Sequence, residues 1–314
     1  MKILVTGASG FVGQALCRAL SRNHQVRAAV RSATSSTICC PQIAVGPTDH
    51  ATDWQLALEN QKVLIHLVAR VHVMKESSKD PLADFRAVNV AGSLNIARQA
   101  AAAGVRRMVF VSSIKVNGEF SLPGHSFSEA DLPAPGEAYG VSKLEAEKGL
   151  RAIADQTGLE LVIIRPPLVY GPGVKANFSA LMHAVERGWP LPLGAVDNRR
   201  SLLGLDNLTH FLEVCATHPR AAGETFYVSD GDDLSTPELI RRMAGAAHAS
   251  AHLINLPVWM LEAGAALIGR KEFVRRLCGN LQVDISKARN LLGWQPPVSV
   301  NEALRQTFAP HANP

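Results

Sequence analysis

A chain of 314 residues that is 47% hydrophobic, 19% charged and 5% aromatic has the balance of a globular protein, which excludes disordered, collagen-like and disulfide-stapled architectures. Its length provides for two lobes. Its formal charge of +5 is scattered rather than gathered into tracts, so nucleic acid is not an expected partner, and a few Arg in a cleft would serve an anionic small molecule as well.

The chain opens on Met1-Lys2-Ile3-Leu4-Val5-Thr6-Gly7, a short apolar strand entering a glycine turn, without a signal peptide's long apolar core. Five cysteines, with Cys39 and Cys40 adjacent, suggest no paired framework and read as reduced thiols, so a cytoplasmic protein is expected. Strand-like runs at Ile3 to Val5, Val26 to Val30, Val63 to Val68, Met108 to Val111 and Leu161 to Ile164 alternate with helical patterns, a rhythm that predicts a parallel sheet. Between the first two, Val12, Ala15, Leu16, Ala19 and Leu20 recur at helical spacing and should face the sheet. Asp80 as N-cap with Pro81 behind it predicts a long helix stopped at Gly104, and a second runs from about Ala138 to Thr157, ended by Gly158.

Beyond Pro166 the texture turns to Pro/Gly-rich connections and shorter helical patterns. The expected division is a dinucleotide-binding domain over 1–168 and a substrate lobe over 169–314, with some segments returning to the first domain. Helices are expected from Ser235-Thr236-Pro237-Glu238 and, last, over Asp284 to Leu292, closed by Gly293. The apolar stretch Leu253 to Gly269, interrupted by Asn255, Pro257 and Glu262, is too short to span a bilayer. Its basic continuation, Arg270-Lys271 to Arg275-Arg276, fits a membrane surface less well than a helix packed on its own lobe.

Gly7, Gly10 and Gly13 lie between the first strand and its amphipathic helix, the context of a dinucleotide site. There Gly7 permits the turn, Gly10 admits a pyrophosphate to the helix N-terminus, and Gly13 allows close packing of the helix. The second strand ends in Arg31-Ser32, without the carboxylate that would bind an adenosine ribose, and Arg31 could pair with a 2′-phosphate; NADP(H) is therefore favoured over NAD(H). Tyr139 and Lys143 share a helix face one turn apart, so the ammonium should lower the phenol's pKa for acid/base work. Ser112 and Ser113 follow a strand end, where either hydroxyl could polarise a substrate oxygen. No metal site is expected.

These segments resemble the extended short-chain dehydrogenase/reductases, in their nucleotide-sugar epimerase/dehydratase/reductase branch, over nearly the whole chain. Thr6 to Gly13 resembles TGxxGFxG, Ile65 to Ala69 the HLAA strand, Tyr139 to Lys143 YxxSK, and Arg165 to Pro172 RPxxVYGP; Asp284 to Ala288 and Leu292 to Pro296 match the C-terminal signature. The resemblance implies a Rossmann-type doubly wound parallel sheet with a smaller C-terminal α/β lobe, and a homodimer. It implies Tyr139 as acid/base, Lys143 on the nicotinamide ribose and Ser113 as third catalytic member. Phe11, Val12, Val68, Ala69, Asn89 and Pro166 join the three glycines around the cofactor. Arg200, with Asn177 and Arg275 or Arg276, would hold the diphosphate of a UDP-sugar.

Ile114-Lys115 stands where the sugar 4,6-dehydratases carry an Asp-Glu pair, which argues against dehydration because Ile114 transfers no proton. Asn117 replaces a usual tyrosine, Leu168 a frequent asparagine, and Pro47 an adenine-contacting aspartate. The finer resemblance is to bacterial O-antigen-cluster enzymes acting at C4 of UDP-N-acetylhexosamines, among them the UDP-N-acetyl-quinovosamine dehydrogenases. Reduction of a UDP-4-keto-6-deoxy-N-acetylhexosamine is therefore the expected activity. A UDP-sugar 4-epimerase is the alternative, and a non-catalytic NAD(P)-binding regulator a distant one.

Overall fold

Apolar runs too short to form buried helices become strands covered on both faces. The computed structural model describes residues 1–32, 38–71, 80–267, 269 and 271–309. Its strands are β1 (Lys2–Thr6), β2 (Gln25–Val30), β3 (Gln42–Ala44), β4 (Val63–His66), β5 (Arg107–Val111), β6 (Glu160–Arg165), β7 (Leu168–Tyr170), β8 (Leu202–Gly204) and β9 (Thr225–Tyr227). Seven form one parallel sheet in the order β3-β2-β1-β4-β5-β6-β9, and β7 pairs with β8 separately. The order reverses between β1 and β4, which is where open α/β sheets hold ligands.

The helices are α1 (Phe11–Leu20), α2 (Gln55–Leu58), α3 (Pro81–Phe85), α4 (Ser93–Ala102), α5 (Ala138–Thr157), α6 (Ala176–Glu186), α7 (Leu205–Thr217), α8 (Thr236–Ala246), α9 (Val258–Leu267), α10 (Lys271–Cys278), α11 (Ser286–Leu292) and α12 (Val300–Phe308). One face of the sheet is covered by α1, α7 and α11, through Leu16, Cys17, Leu208, Phe211, Ala288 and Leu292. The other is covered by α2, α4 and α5, through Leu58, Ile96, Ala146 and Leu150. A separate core around Tyr170, Phe178, Leu193, Ile240, Met243 and Leu304 builds the smaller lobe.

Where caps and stops are local, the expected helices form. Asp80 accepts from the Ala83 amide at 3.0 Å, Gly158 ends α5 at φ 75°, Ser235 accepts from Glu238 at 3.2 Å, and Gly293 ends α11 at φ 65°. Three features differ from expectation. The helix opened by Asp80 carries a π-helical segment, Arg86–Gly92, between α3 and α4. The buried face of α1 runs through Gly13, Leu16, Cys17 and Leu20, with Ala15 and Ala19 only half-buried, because Gly13 must meet the preceding loop. A further helix, α12, follows the one expected to be last; its cap, Ser299 accepting from Glu302 at 3.3 Å, repeats the Ser-x-x-Glu spacing of α8. The apolar stretch supplies only α9, and among the described residues no helix is long and apolar enough to cross a membrane. Arg270 and the Lys271 side chain lie outside the described residues, while Arg275 lies over the Phe120 ring and Arg276 pairs with Glu137, so this basic end turns onto its own chain.

Candidate active site

The loop from β1 to α1 is shaped by its glycines. Gly7 sits at φ 68°, and a Cβ there would come within 3.1 Å of Leu67 C and Val68 N, so the loop lies directly against the chain leaving β4 and entering Ala69. A Cβ on Gly13 would stand 2.2 Å from Gly7 O and 2.7 Å from Ala8 Cα, both backbone that cannot step aside. Gly10, the N-cap of α1, offers no side chain to the first-turn amides at Phe11 and Val12, which leaves a helix N-terminus of the kind that binds phosphate. Gly13→Ala is expected to weaken nicotinamide dinucleotide binding roughly 5- to 150-fold, the equivalent of about 1–3 kcal/mol for an overpacked contact. Gly245→Ala, in the open on α8, should bind normally; calorimetric titration of both compares them.

Tyr139 and Lys143 lie on α5, one turn apart, and Ser113 follows β5 by two residues as the cap of the short turn Ile114–Val116. The two serines are separated by direction. Ser112 turns inward and donates to Glu147 Oε1 at 2.5 Å, whereas Ser113 faces the Tyr139 hydroxyl and favours its ionised form. Pro166 O accepts from the Ile114 amide at 3.0 Å, tying the Ser113 turn to the end of β6.

The expected depression of the Tyr139 pKa is not found. Burial pushes the phenol up to about 12, opposed by Ser113. Lys143 is almost wholly buried, with Nζ 4.1 Å from the centre of the Phe110 ring; burial pulls it down to about 7, opposed by Glu147. Desolvation is the largest cause at both residues. Its neighbour His66 is held near 3, by burial and then by the charge of Lys143, and as a neutral ring bridges Thr6 Oγ1 at 2.7 Å and Ser93 Oγ at 3.1 Å. Lys143 Nζ finds no hydrogen-bond partner among the described residues. A buried, unpaired donor beside an uncapped helix N-terminus and a glycine loop fits a dinucleotide, whose ribose and pyrophosphate oxygens are acceptors.

Asn89, on the π segment, is fully buried; its Oδ1 accepts from Arg70 N at 2.8 Å and its Nδ2 donates to Arg70 O and Ser142 Oγ, both at 3.0 Å. It thus fastens the loop after β4 to α5. Sequence reading missed the buried pair behind the site, in which Arg165 donates to Glu147 at 3.0 Å and 2.5 Å and also to Asn117 Oδ1 and the Tyr227 hydroxyl. The signal was present, because Glu147 extends the Tyr139-Lys143 stripe by one more turn. Asn117, where a tyrosine was expected, accepts from the Tyr227 hydroxyl at 2.7 Å.

Arg200 Nη1 donates to Arg276 O at 2.7 Å and Gly279 O at 2.9 Å, so two of the expected diphosphate ligands meet at the end of α10. Arg276 in turn reaches Glu137, two residues before Tyr139. Asn177 lies exposed on the first turn of α6, and Arg31 lies exposed after β2.

The model of the NAD dependent epimerase/dehydratase family matches residues 3–229. The chain belongs to this family. A Vibrio cholerae protein named UDP-glucose 4-epimerase is 45% identical over 308 residues, covering 97% of this chain and 94% of its own. Among solved structures, a UDP-N-acetylglucosamine 4-epimerase from Bacillus cereus superposes with a TM-score of 0.79 at 20% identity, covering 98% and 95% of the two chains. A UDP-glucuronic acid 4-epimerase from the same organism, in complex with NAD, gives 0.76 at 24% identity, covering 98% and 97%. These last two likenesses carry the fold: the family's Rossmann-type sheet with its small C-terminal region.

Proposed function

We propose that this family member is a UDP-sugar 4-epimerase that retains NAD(H), with residues 169–314 chiefly holding the sugar nucleotide. The observation that carries this is the 45% identity, over 97% of the chain, to a protein named UDP-glucose 4-epimerase. Sequence reading ranked reduction of a 4-keto sugar ahead of epimerisation because adenosine contacts after Val30 and at Pro47 were missing; those gaps weigh less than whole-length identity. The preference for NADP(H) rests on the missing carboxylate after Val30 and on Arg31 beside it. Arg31 is solvent-exposed, and the family is NAD dependent, so NAD(H) is the better assignment.

Gly7, Gly10 and Gly13, with the amides of Phe11 and Val12, would hold the pyrophosphate, with Val68, Ala69, Asn89 and Pro166 lining the nicotinamide side and Lys143 Nζ donating to the ribose. When bound, the nicotinamide supplies and accepts hydride at C4. Tyr139 would take the C4 hydroxyl proton as hydride leaves and return it to the ketone oxygen as hydride comes back; its raised pKa in the nucleotide-free protein suits the return half, and the positive charges of Lys143 and the oxidised nicotinamide would favour the phenolate that the first half needs. Ser113 hydrogen-bonds the same oxygen. Arg200 and Arg276 orient the diphosphate, with Arg275 and Asn177 as further contacts.

With UDP-glucose and no added nucleotide, the purified protein is expected to form UDP-galactose to equilibrium and to release NAD(H) on denaturation. Chromatography of the sugar nucleotides and mass spectrometry of the released dinucleotide measure both. Failure to interconvert UDP-glucose with UDP-galactose, or their N-acetyl counterparts, together with stoichiometric use of reduced nicotinamide on a UDP-4-keto sugar, would make it a reductase. No turnover of either kind would make it a binding protein.

A further inference from the structure

Ser113 and Tyr139 come from different elements, a turn after β5 and the first turn of α5, so their spacing must be set across a junction. One contact there is a steric stop: a Cβ on Gly140 would stand 2.5 Å from Lys115 O, so the Ser113 turn already touches α5 and cannot approach further. Another contact pulls. Lys115 Nζ lies 2.6 Å from Glu137 Oε2, bridging the turn to the residue that begins α5. Lys115 also supplies the backbone N–H that Ser113 Oγ accepts at 3.3 Å, so a shift of Lys115 moves the catalytic hydroxyl directly.

Glu137 occupies the N-cap position of α5, yet its side chain makes no capping bond. Its carboxylate is turned to Lys115 and Arg276 instead. Glu119 completes the cluster, 3.3 Å from Lys115 and 3.7 Å from Arg276, so two carboxylates balance two cations. The side chains of Lys115 and Glu137 are only 27% and 24% exposed, so the pair is partly shielded from water and from competing ions, while Arg276 stays beside both carboxylates if Lys115 is lost. The effect of the pair should be on local geometry.

We propose that Lys115 and Glu137 are a positioning pair that holds the Ser113 hydroxyl at working distance from the Tyr139 hydroxyl. This rests on the reading above, in which those two hydroxyls share the reacting oxygen. The Gly140 contact limits approach, the ion pair limits separation, and together they bracket the spacing.

In the full-length protein assayed for UDP-sugar interconversion, Lys115→Met should lower kcat about tenfold, since sub-ångström misplacement is costly in a proton-transfer geometry. KM should stay within about twofold and the melting temperature within a few degrees. Lys115→Arg, which can keep the pair, should restore most of kcat. Glu137→Gln should match Lys115→Met, and the double variant should be no worse than either. Wild-type kcat in Lys115→Met overturns the proposal, as does a rise in KM alone, which would make Lys115 a substrate contact. Equal impairment of Lys115→Arg and Lys115→Met also overturns it. Tyr139→Phe in the same assay separates the two levels. Retained turnover there overturns the site reading and this proposal together, whereas an inactive Tyr139→Phe beside an unimpaired Lys115→Met overturns this proposal alone.

Discussion

Tyr139→Phe is expected to lower sugar-nucleotide turnover by roughly 10²–10⁴-fold, the range that a positioned proton donor contributes. Dinucleotide binding should change little. The ring packs edge-on to Phe85, with centroids 6.0 Å apart, and Phe keeps that contact while losing the hydroxyl that faces Ser113. Because burial raises the phenol to about 12, the phenolate that accepts the C4 proton becomes more available as pH rises, so turnover should increase rather than fall between about pH 7 and pH 9. Steady-state kinetics of the two proteins, with calorimetric titration of nucleotide, tests this. Wild-type rates in the variant would remove Tyr139 from the chemistry.

Lys143→Met should abolish tight dinucleotide binding and yet make the nucleotide-free fold more stable. The wild-type ammonium is buried over Phe110 without a hydrogen-bond partner among the described residues, and burial brings its pKa from 10.5 to about 7, against the pull of Glu147. A base whose folded pKa lies below its unfolded one binds fewer protons when folded, so stability rises with pH between the two values. The penalty is complete below pH 7 and fades as pH approaches 10.5. The variant, free of it, should gain about 1–4 kcal/mol at pH 6, the range for replacing buried charge with apolar side chains, and the gain should shrink towards pH 10. Two groups face Lys143: His66, neutral and held near 3, and Glu147, already paired with Arg165. Removing the ammonium should therefore also raise the His66 pKa. Urea denaturation at both pH values measures the stability difference; a variant less stable at pH 6 would mean that Glu147 outweighs burial.

Local physics was legible in the chain. Strands alternate with helices because apolar runs and helical periodicities do, and Asp80, Gly158, Ser235 and Gly293 act as caps because capping is settled within a turn. The glycine loop and the shared face of Tyr139 and Lys143 follow from spacing alone. The three-residue strands β3, β7, β8 and β9 escaped notice because they are too short to show a period. What the tertiary structure decided depends on which distant residues meet. The resemblance already singles out Ser113; that Ser112 is engaged elsewhere turns on Glu147 lying behind β5, and the Glu137 junction brings Lys115 together with Arg276 from α10. The tyrosine and lysine pKa values moved opposite to a two-residue reading for the same reason. Spacing along a helix states that two charges are near each other, whereas desolvation, the larger effect here, depends on everything else packed around them.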